Sequence, residues 1–271
     1  MNRNKKILVE TSAVRAKVGP TTLRQEEAFD DASRGTSLYT SAYIRMEFIR
    51  RWICTQIDLA LLVSRFGNVP EALAFAEQDF SIRTTKAYLA CIAEQLNSAG
   101  SIGSPKASAE EFARTAFHWI RRFDRYFPSR IQNRSHCSRG SRELRCQSFE
   151  TILEDLAVFH AEFSESVTDC QVNRFLKLTS PHSEATKLIN AVASDALVCM
   201  THLEKYAEDG THITCKECER LGDAVIALEQ TKGFTLLHID KSFDVLCTAR
   251  KMPHQKIPSL RAAERDARIN P

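Results

Sequence analysis

Two carboxylates near the end of the chain stand where chemistry is most readily built. Leu221-Gly222-Asp223-Ala224-Val225-Ile226-Ala227-Leu228-Glu229 puts Asp223 at the N-cap or first turn of a short apolar helix. Gly233 then reads as the residue that stops that helix. Phe234 to Ile239 is an apolar run of strand length, as in a parallel sheet covered on both faces, and Asp240 lies just past its end. Such sheets bind ligands beyond the carboxyl ends of their strands. Two carboxylates held there are the beginning of a cation site. Lys6-Ile7-Leu8-Val9-Glu10-Thr11-Ser12 repeats the pattern, a short strand ending in an acid, although in isolation Glu10 reads first as an exposed strand end.

Sulfur offers a second chemistry. Cys215-Lys216-Glu217-Cys218 is a C-x-x-C whose spacing lets two thiolates reach one tetrahedral zinc. Completing the set calls for Cys170 and Cys146, with Cys137 or His136 as substitutes. A thioredoxin-like pair fits less well because no strand precedes the motif, and simple unligated thiols are the competing reading. Cys54, Cys91, Cys199 and Cys247 fall in apolar surroundings and read as small buried residues.

Arginine offers a third. Between Arg121 and Arg145 lie eight arginines against Asp124 and Glu143. The part from Pro128 to Gly140 is poor in apolar residues and reads as a mobile loop. The guanidinium fork matches phosphate oxygens, so Arg130, Arg134, Arg139 and Arg142 are candidates for a nucleic-acid backbone, with a solvated basic loop as the alternative.

The elements that must position these groups follow from periodicity. After the first strand, Gly19-Pro20 breaks the chain, Gln25 to Ser33 is a short helix, and Leu38-Tyr39-Thr40 is a second strand. Thr40 or Ser41 caps a helix whose apolar stripe includes Ile44, Phe48, Ile53 and Ile57. Glu47 lies beside that stripe, where an i,i+4 pair with Arg51 would account for it. From Leu59 to about Asn190 the periodicity is helical almost throughout. Helices are expected over 80–96, from a capping box at Ser108-Ala109-Glu110-Glu111 onward, over 148–163 and over 184–206. Phe112, Ala116, Trp119, Ile120 and Phe123 form one apolar face, which reads as core.

Composition bounds the rest. A chain of 271 residues with 43% hydrophobic and 26% charged residues has the make-up of a globular protein with room for a sizeable core. Its net charge of +3 is too small to name a partner. Ile7-Leu8-Val9 is too short for a signal-peptide core, no apolar run is long enough to span a bilayer, and nine cysteines is an odd number. The expectation is a cytoplasmic protein, with no membrane partner and with reduced thiols.

The order Ile7-Leu8-Val9-Glu10-Thr11-Ser12-Ala13, then Glu47 on a helix after a hydroxyl-rich strand end, then Gly222-Asp223-Ala224-Val225-Ile226-Ala227, then Ile239-Asp240-Lys241-Ser242-Phe243, resembles the PIN-domain nucleases, a family that includes ribonuclease toxins of toxin–antitoxin pairs. The resemblance covers roughly the first sixty and last seventy residues. It implies a three-layer α/β/α fold with a central parallel sheet. It also implies that Glu10, Glu47, Asp223 and Asp240 hold Mg²⁺ or Mn²⁺ for hydrolysis of phosphodiesters, most naturally as an endoribonuclease acting on RNA, with DNA as the other substrate. An antitoxin-like inhibitor and a homodimer are the protein partners it implies. The domain reading is a PIN-like core from residues 1–60 and 191–250, a helical insertion over 61–190, and a C-terminal tail over 251–271.

Two departures from the family pattern bear on function. Its first-strand acid is usually Asp, whereas Glu10 is longer by one methylene. The helical block between Glu47 and Asp223 is much longer than the usual connection. The block reads as an insertion that shapes substrate access or binds a partner, and Glu10 raises a second reading, a catalytically weak or inactive PIN-like module that binds nucleic acid or protein. A third is a helical adaptor stapled by zinc.

Overall fold

The computed structural model describes residues 5–19, 23–99, 105–131 and 222–259, with Ser135, Cys137, Glu154 and Val158. The helices expected over 148–163 and 184–206 lie outside these residues, apart from Glu154 and Val158. So do His136, Cys146, Cys170, Cys199, Cys215, Cys218, Arg134, Arg139 and Arg142. The chain divides into two compact units, one of Met1–Glu47, Tyr126–Arg142 and Phe163–Pro271, the other of Phe48–Arg125 and Glu143–Glu162.

The first unit is built on a parallel sheet. Its strands are β1 (Lys6–Val9), β2 (Ser37–Tyr39), β3 (Phe234–His238) and β4 (His254–Lys256), in the spatial order β2-β1-β3-β4. Ile7, Leu8, Val9, Leu236 and Leu237 are fully buried. Continuous apolar runs of this kind arise where helices cover both faces of a parallel sheet. Leu8 pairs with Tyr39 on one side and Leu236 on the other, so β1 and β3 form the centre. The sheet fits the α/β class expected from the sequence.

The covering helices are α1 (Thr11–Val18), α2 (Leu23–Ser33), α3 (Ala42–Phe48), and, late in the chain, α8 (Gly222–Glu229) and α9 (Lys241–Arg250). Ser41 caps α3 by accepting from the Ile44 N–H at 3.1 Å. Helix α8 ends at Glu229, earlier than a stop at Gly233 would allow. Buried Gln230 ends it, its side-chain amide donating to the carbonyls of Phe234 and Pro253 at 3.0 and 2.8 Å. Arg250 donates to the Ala227 and Gln230 carbonyls, placing a cation at the negative end of α8. Gly233 serves instead in the turn into β3, where its φ of +93° suits a residue without Cβ.

Strand β4 falls inside the stretch read as a C-terminal tail. Its sequence, His-Gln-Lys, is short and polar and carries no apolar period. Only its register with β3 reveals it, with Leu236 opposite His254 and His238 opposite Lys256.

The segment read as the start of a mobile basic loop is anchored at several described residues, while Pro128, Ser129 and Arg130 are exposed. Phe127, Ile131, Ser135 and Cys137 are buried, and Phe127 meets Phe29 edge-on at 6.4 Å. The Thr40 N–H donates to the Ser129 carbonyl at 3.2 Å and the Ile131 N–H to the Thr40 carbonyl at 2.9 Å, an isolated parallel bridge that ties Arg130 to the residue just past β2. Ser135 donates its N–H and hydroxyl to the fully buried Glu229 carboxylate, at 3.3 and 2.6 Å. Arginine content conceals this anchoring. Cys137, grouped in the sequence with thiols in polar surroundings, belongs with the buried ones.

The described part of the second unit is helical: a π-helical turn at Ile49–Ile53, then α4 (Cys54–Phe66), α5 (Val69–Asp79), α6 (Ile82–Ala99) and α7, which runs from Pro105 to Tyr126. Gly67 closes α4 in the left-handed conformation and Asn68 caps α5. Helix α7 starts one turn before the expected capping box. Pro105 occupies its first position, where the missing N–H costs nothing, and Ser108 falls inside the helix. The expected face of Phe112, Ala116, Trp119, Ile120 and Phe123 is buried.

Candidate metal centre at the carboxyl edge of the sheet

The chain leaves β1 toward β2 on one side, and β3 adds on the other. The carboxyl ends of β1 and β3 therefore flank a topological switch point, where open parallel sheets bind ligands. Glu10 and Asp240 follow these two strands.

Glu10 is buried and acts as the N-cap of α1. Its Oε1 accepts from the Ala13 and Ile239 N–H groups at 2.9 and 3.0 Å, and its Oε2 from the Ser12 N–H at 2.6 Å. Its own N–H donates to the Leu237 carbonyl at 3.0 Å. The residue thus ties the end of β1 to the end of β3, which an exposed strand end would not do. Burial pushes its carboxyl from the ordinary 4.5 up to about 8. Repulsion from Asp240 and Asp223 adds to the rise, and the N–H groups of Ser12 and Ile239 oppose it.

The other three acids each receive a hydroxyl. Thr11 donates to Glu47, which is buried, so the side chain faces α1 rather than forming an exposed pair with Arg51. Ser12 donates to Asp240 at 3.1 Å, and Ser242 donates to Asp223 at 2.6 Å. Asp240 is the residue before α9 yet makes no capping bond, its carboxylate being turned to Ser12. A Cβ added to Gly222 would lie 3.2 Å from Glu47 Oε1 and 3.4 Å from the Tyr43 hydroxyl. That close approach brings the start of α8, and with it Asp223, against Glu47. All four sequence-derived acids therefore gather at one edge, linked through Thr11, Ser12 and Ser242.

Carboxylate and hydroxyl oxygens are hard donors, suited to Mg²⁺ or Mn²⁺. Glu10 contributes least to such a set. Its three N–H bonds leave one lone pair, on Oε2, among the described residues. The four acids are not drawn together as tightly as the one described group whose ligand atoms all lie within 4.8 Å of one another. An ion that keeps several of its waters needs few direct protein ligands.

That tight group is His238, Asp244 and His254, which the sequence reading did not single out. His238 sits within an apolar strand and His254 on the polar β4. Burial lowers the His238 imidazole below the ordinary 6.5, against the pull of Asp244 and the Asp240 carbonyl. Of the basic candidates, Arg130 is described. It is exposed and lies beside Thr40, just past the carboxyl end of β2.

Comparison with protein-family models, curated proteins and solved structures finds no match for this chain. Among the described residues, no single helix is long and apolar enough to cross a membrane.

Proposed function

We propose that the protein is a metal-dependent phosphodiester hydrolase of PIN-like fold, an endoribonuclease in the first place. The observation that carries the reading is the gathering of Glu10, Glu47, Asp223 and Asp240 from four separate segments at the switch point of a parallel sheet. Such burial and repulsion are costly for stability alone and are common where carboxylates work together.

Asp240, Asp223 and Glu47 would hold Mg²⁺ or Mn²⁺, with Oε2 of Glu10 reaching the same space. When bound, the ion would activate water toward phosphorus and offset charge on the leaving oxygen. The chain's own part is positional. Thr11, Ser12 and Ser242 aim three carboxylates, and Glu10 locks the two strand ends so that these hydroxyls keep their places. A Glu10 carboxyl titrating near 8 also gives the centre a proton to exchange for a cation. Arg130, past the neighbouring strand end, is suited to a phosphate of the substrate backbone.

One observation favours the second reading, a module that binds without cutting. The carboxylate of Glu10 is largely consumed by backbone N–H groups. Calorimetric titration with Mn²⁺ separates the two. The hydrolase reading expects binding by the wild type and its loss in the Asp223→Asn, Asp240→Asn double variant. A well-folded wild type that binds no divalent ion sinks it.

A further inference from the structure

The ligand-type atoms of His238, His254 and Asp244 form a small triangle. His238 Nε2 lies 3.0 Å from His254 Nδ1, and Asp244 Oδ1 lies 3.6 and 3.7 Å from those two nitrogens. A tetrahedral ion with nitrogen and oxygen ligands at about 2.0–2.1 Å needs ligand atoms roughly 3.3–3.4 Å apart. The three separations bracket that value before any ion is present.

The surroundings fix the chemistry of each ligand. His238 Nδ1 is 3.0 Å from the Asp240 carbonyl, which only accepts, so Nδ1 carries the proton and Nε2 turns a lone pair toward the triangle. A backbone carbonyl behind an imidazole is the usual support of a metal-binding histidine. The second Asp244 oxygen accepts from Lys256, which leaves Oδ1 facing the two rings. Without an ion, one proton between the rings serves a single contact at a time.

We propose that His238, His254 and Asp244 form a transition-metal site, for Zn²⁺ in the first place, with a fourth position for water or an exchangeable ligand. The three residues come from β3, β4 and α9, one from each. The ion would pin a three-residue edge strand to the centre of the sheet, which accounts for polar His-Gln-Lys at that edge. Two imidazoles and one carboxylate select a softer ion than the oxygen-only centre. Side-chain exposures of 27% for His254 and 39% for Asp244 leave it a path of entry. The site shares no ligand with the C-x-x-C at Cys215 and Cys218, and it does not depend on the hydrolase reading.

The test is a Co²⁺ titration of the full chain in excess Mg²⁺, read by visible absorption, with Zn²⁺ as competitor. Asp244→Asn, His254→Ala and a Cys215→Ser, Cys218→Ser pair are run beside wild type, with circular dichroism to confirm folding. Asp244 and His254 are both partly exposed, so neither substitution empties a buried space. The expected result is a tetrahedral Co²⁺ spectrum in wild type, displaced by Zn²⁺. Affinity should fall about 100-fold or more in the Asp244 and His254 variants, beyond the loss typical of a supporting residue, and stay unchanged in the cysteine pair. Equal affinity in all variants, loss confined to the cysteine pair, or no spectrum in wild type overturns the proposal.

Discussion

Glu10→Gln separates two forces that act on one carboxyl group. Burial and repulsion by Asp240 and Asp223 favour the protonated form, while N–H donors favour the anion. With a carboxyl at about 8 in the fold and an ordinary 4.5 in the unfolded chain, the folded state holds the extra proton. Its stabilising effect is complete below 4.5 and is lost as pH rises through 8. His238 has the opposite shift, so its effect is confined to pH below about 6.5. Between pH 6.5 and 8, the Glu10 shift, the one among the described groups that spans this window, should then lower unfolding free energy by roughly 1.5 kcal/mol in metal-free protein. Urea unfolding in EDTA, followed by tryptophan fluorescence at several pH values, reads this directly. Glu10→Gln cannot titrate, so the fall across the window should be smaller in the variant than in wild type by that amount. The variant's stability should also be lower at pH 6.5, because one amide N–H must face the Ser12 N–H, a loss of about 1–3 kcal/mol. Parallel pH profiles for the two proteins would refute the reasoning and mean that the N–H donors keep Glu10 ionised.

Other residues give independent readings. Ser135→Ala should cost about 1–3 kcal/mol, the penalty for taking the hydroxyl donor from a buried acceptor, measured by chemical denaturation; a change near zero would mean that the segment is not anchored to Glu229. Gly222→Ala adds a Cβ against Glu47, so cleavage should fall on the order of 10-fold while stability changes by no more than about 1 kcal/mol. Arg130→Ala should weaken RNA binding uniformly across sequences and reduce its salt slope by about 1, as judged by filter binding at several ionic strengths.

The sequence made the central strands legible because Ile7-Leu8-Val9 and the run from Phe234 are apolar, bounded and followed by acids. The long face of α7 was equally plain, since its aromatic residues recur at helical spacing. What stayed hidden depends on contacts between distant residues. Glu229 looks like an ordinary surface acid at a helix end until Ser135 meets it. Strand β4 has no apolar signature, and the closeness of His238 to His254 follows from a register that sets His254 opposite Leu236. At the carboxylate edge the four acids were visible as residue types, whereas the hydroxyls that aim three of them were not. Local spacing cannot show that Thr11 faces Glu47, thirty-six residues away.

Cleavage of labelled single-stranded RNA and DNA in Mg²⁺, Mn²⁺ or EDTA tests the central claim most directly, with wild type beside Asp223→Asn and Asp240→Asn proteins purified identically. The account predicts cutting that requires the divalent ion, favours RNA, and disappears in both variants. Cutting that persists in the variants or in EDTA, or a folded wild type that binds Mn²⁺ and cuts neither substrate, would contradict it.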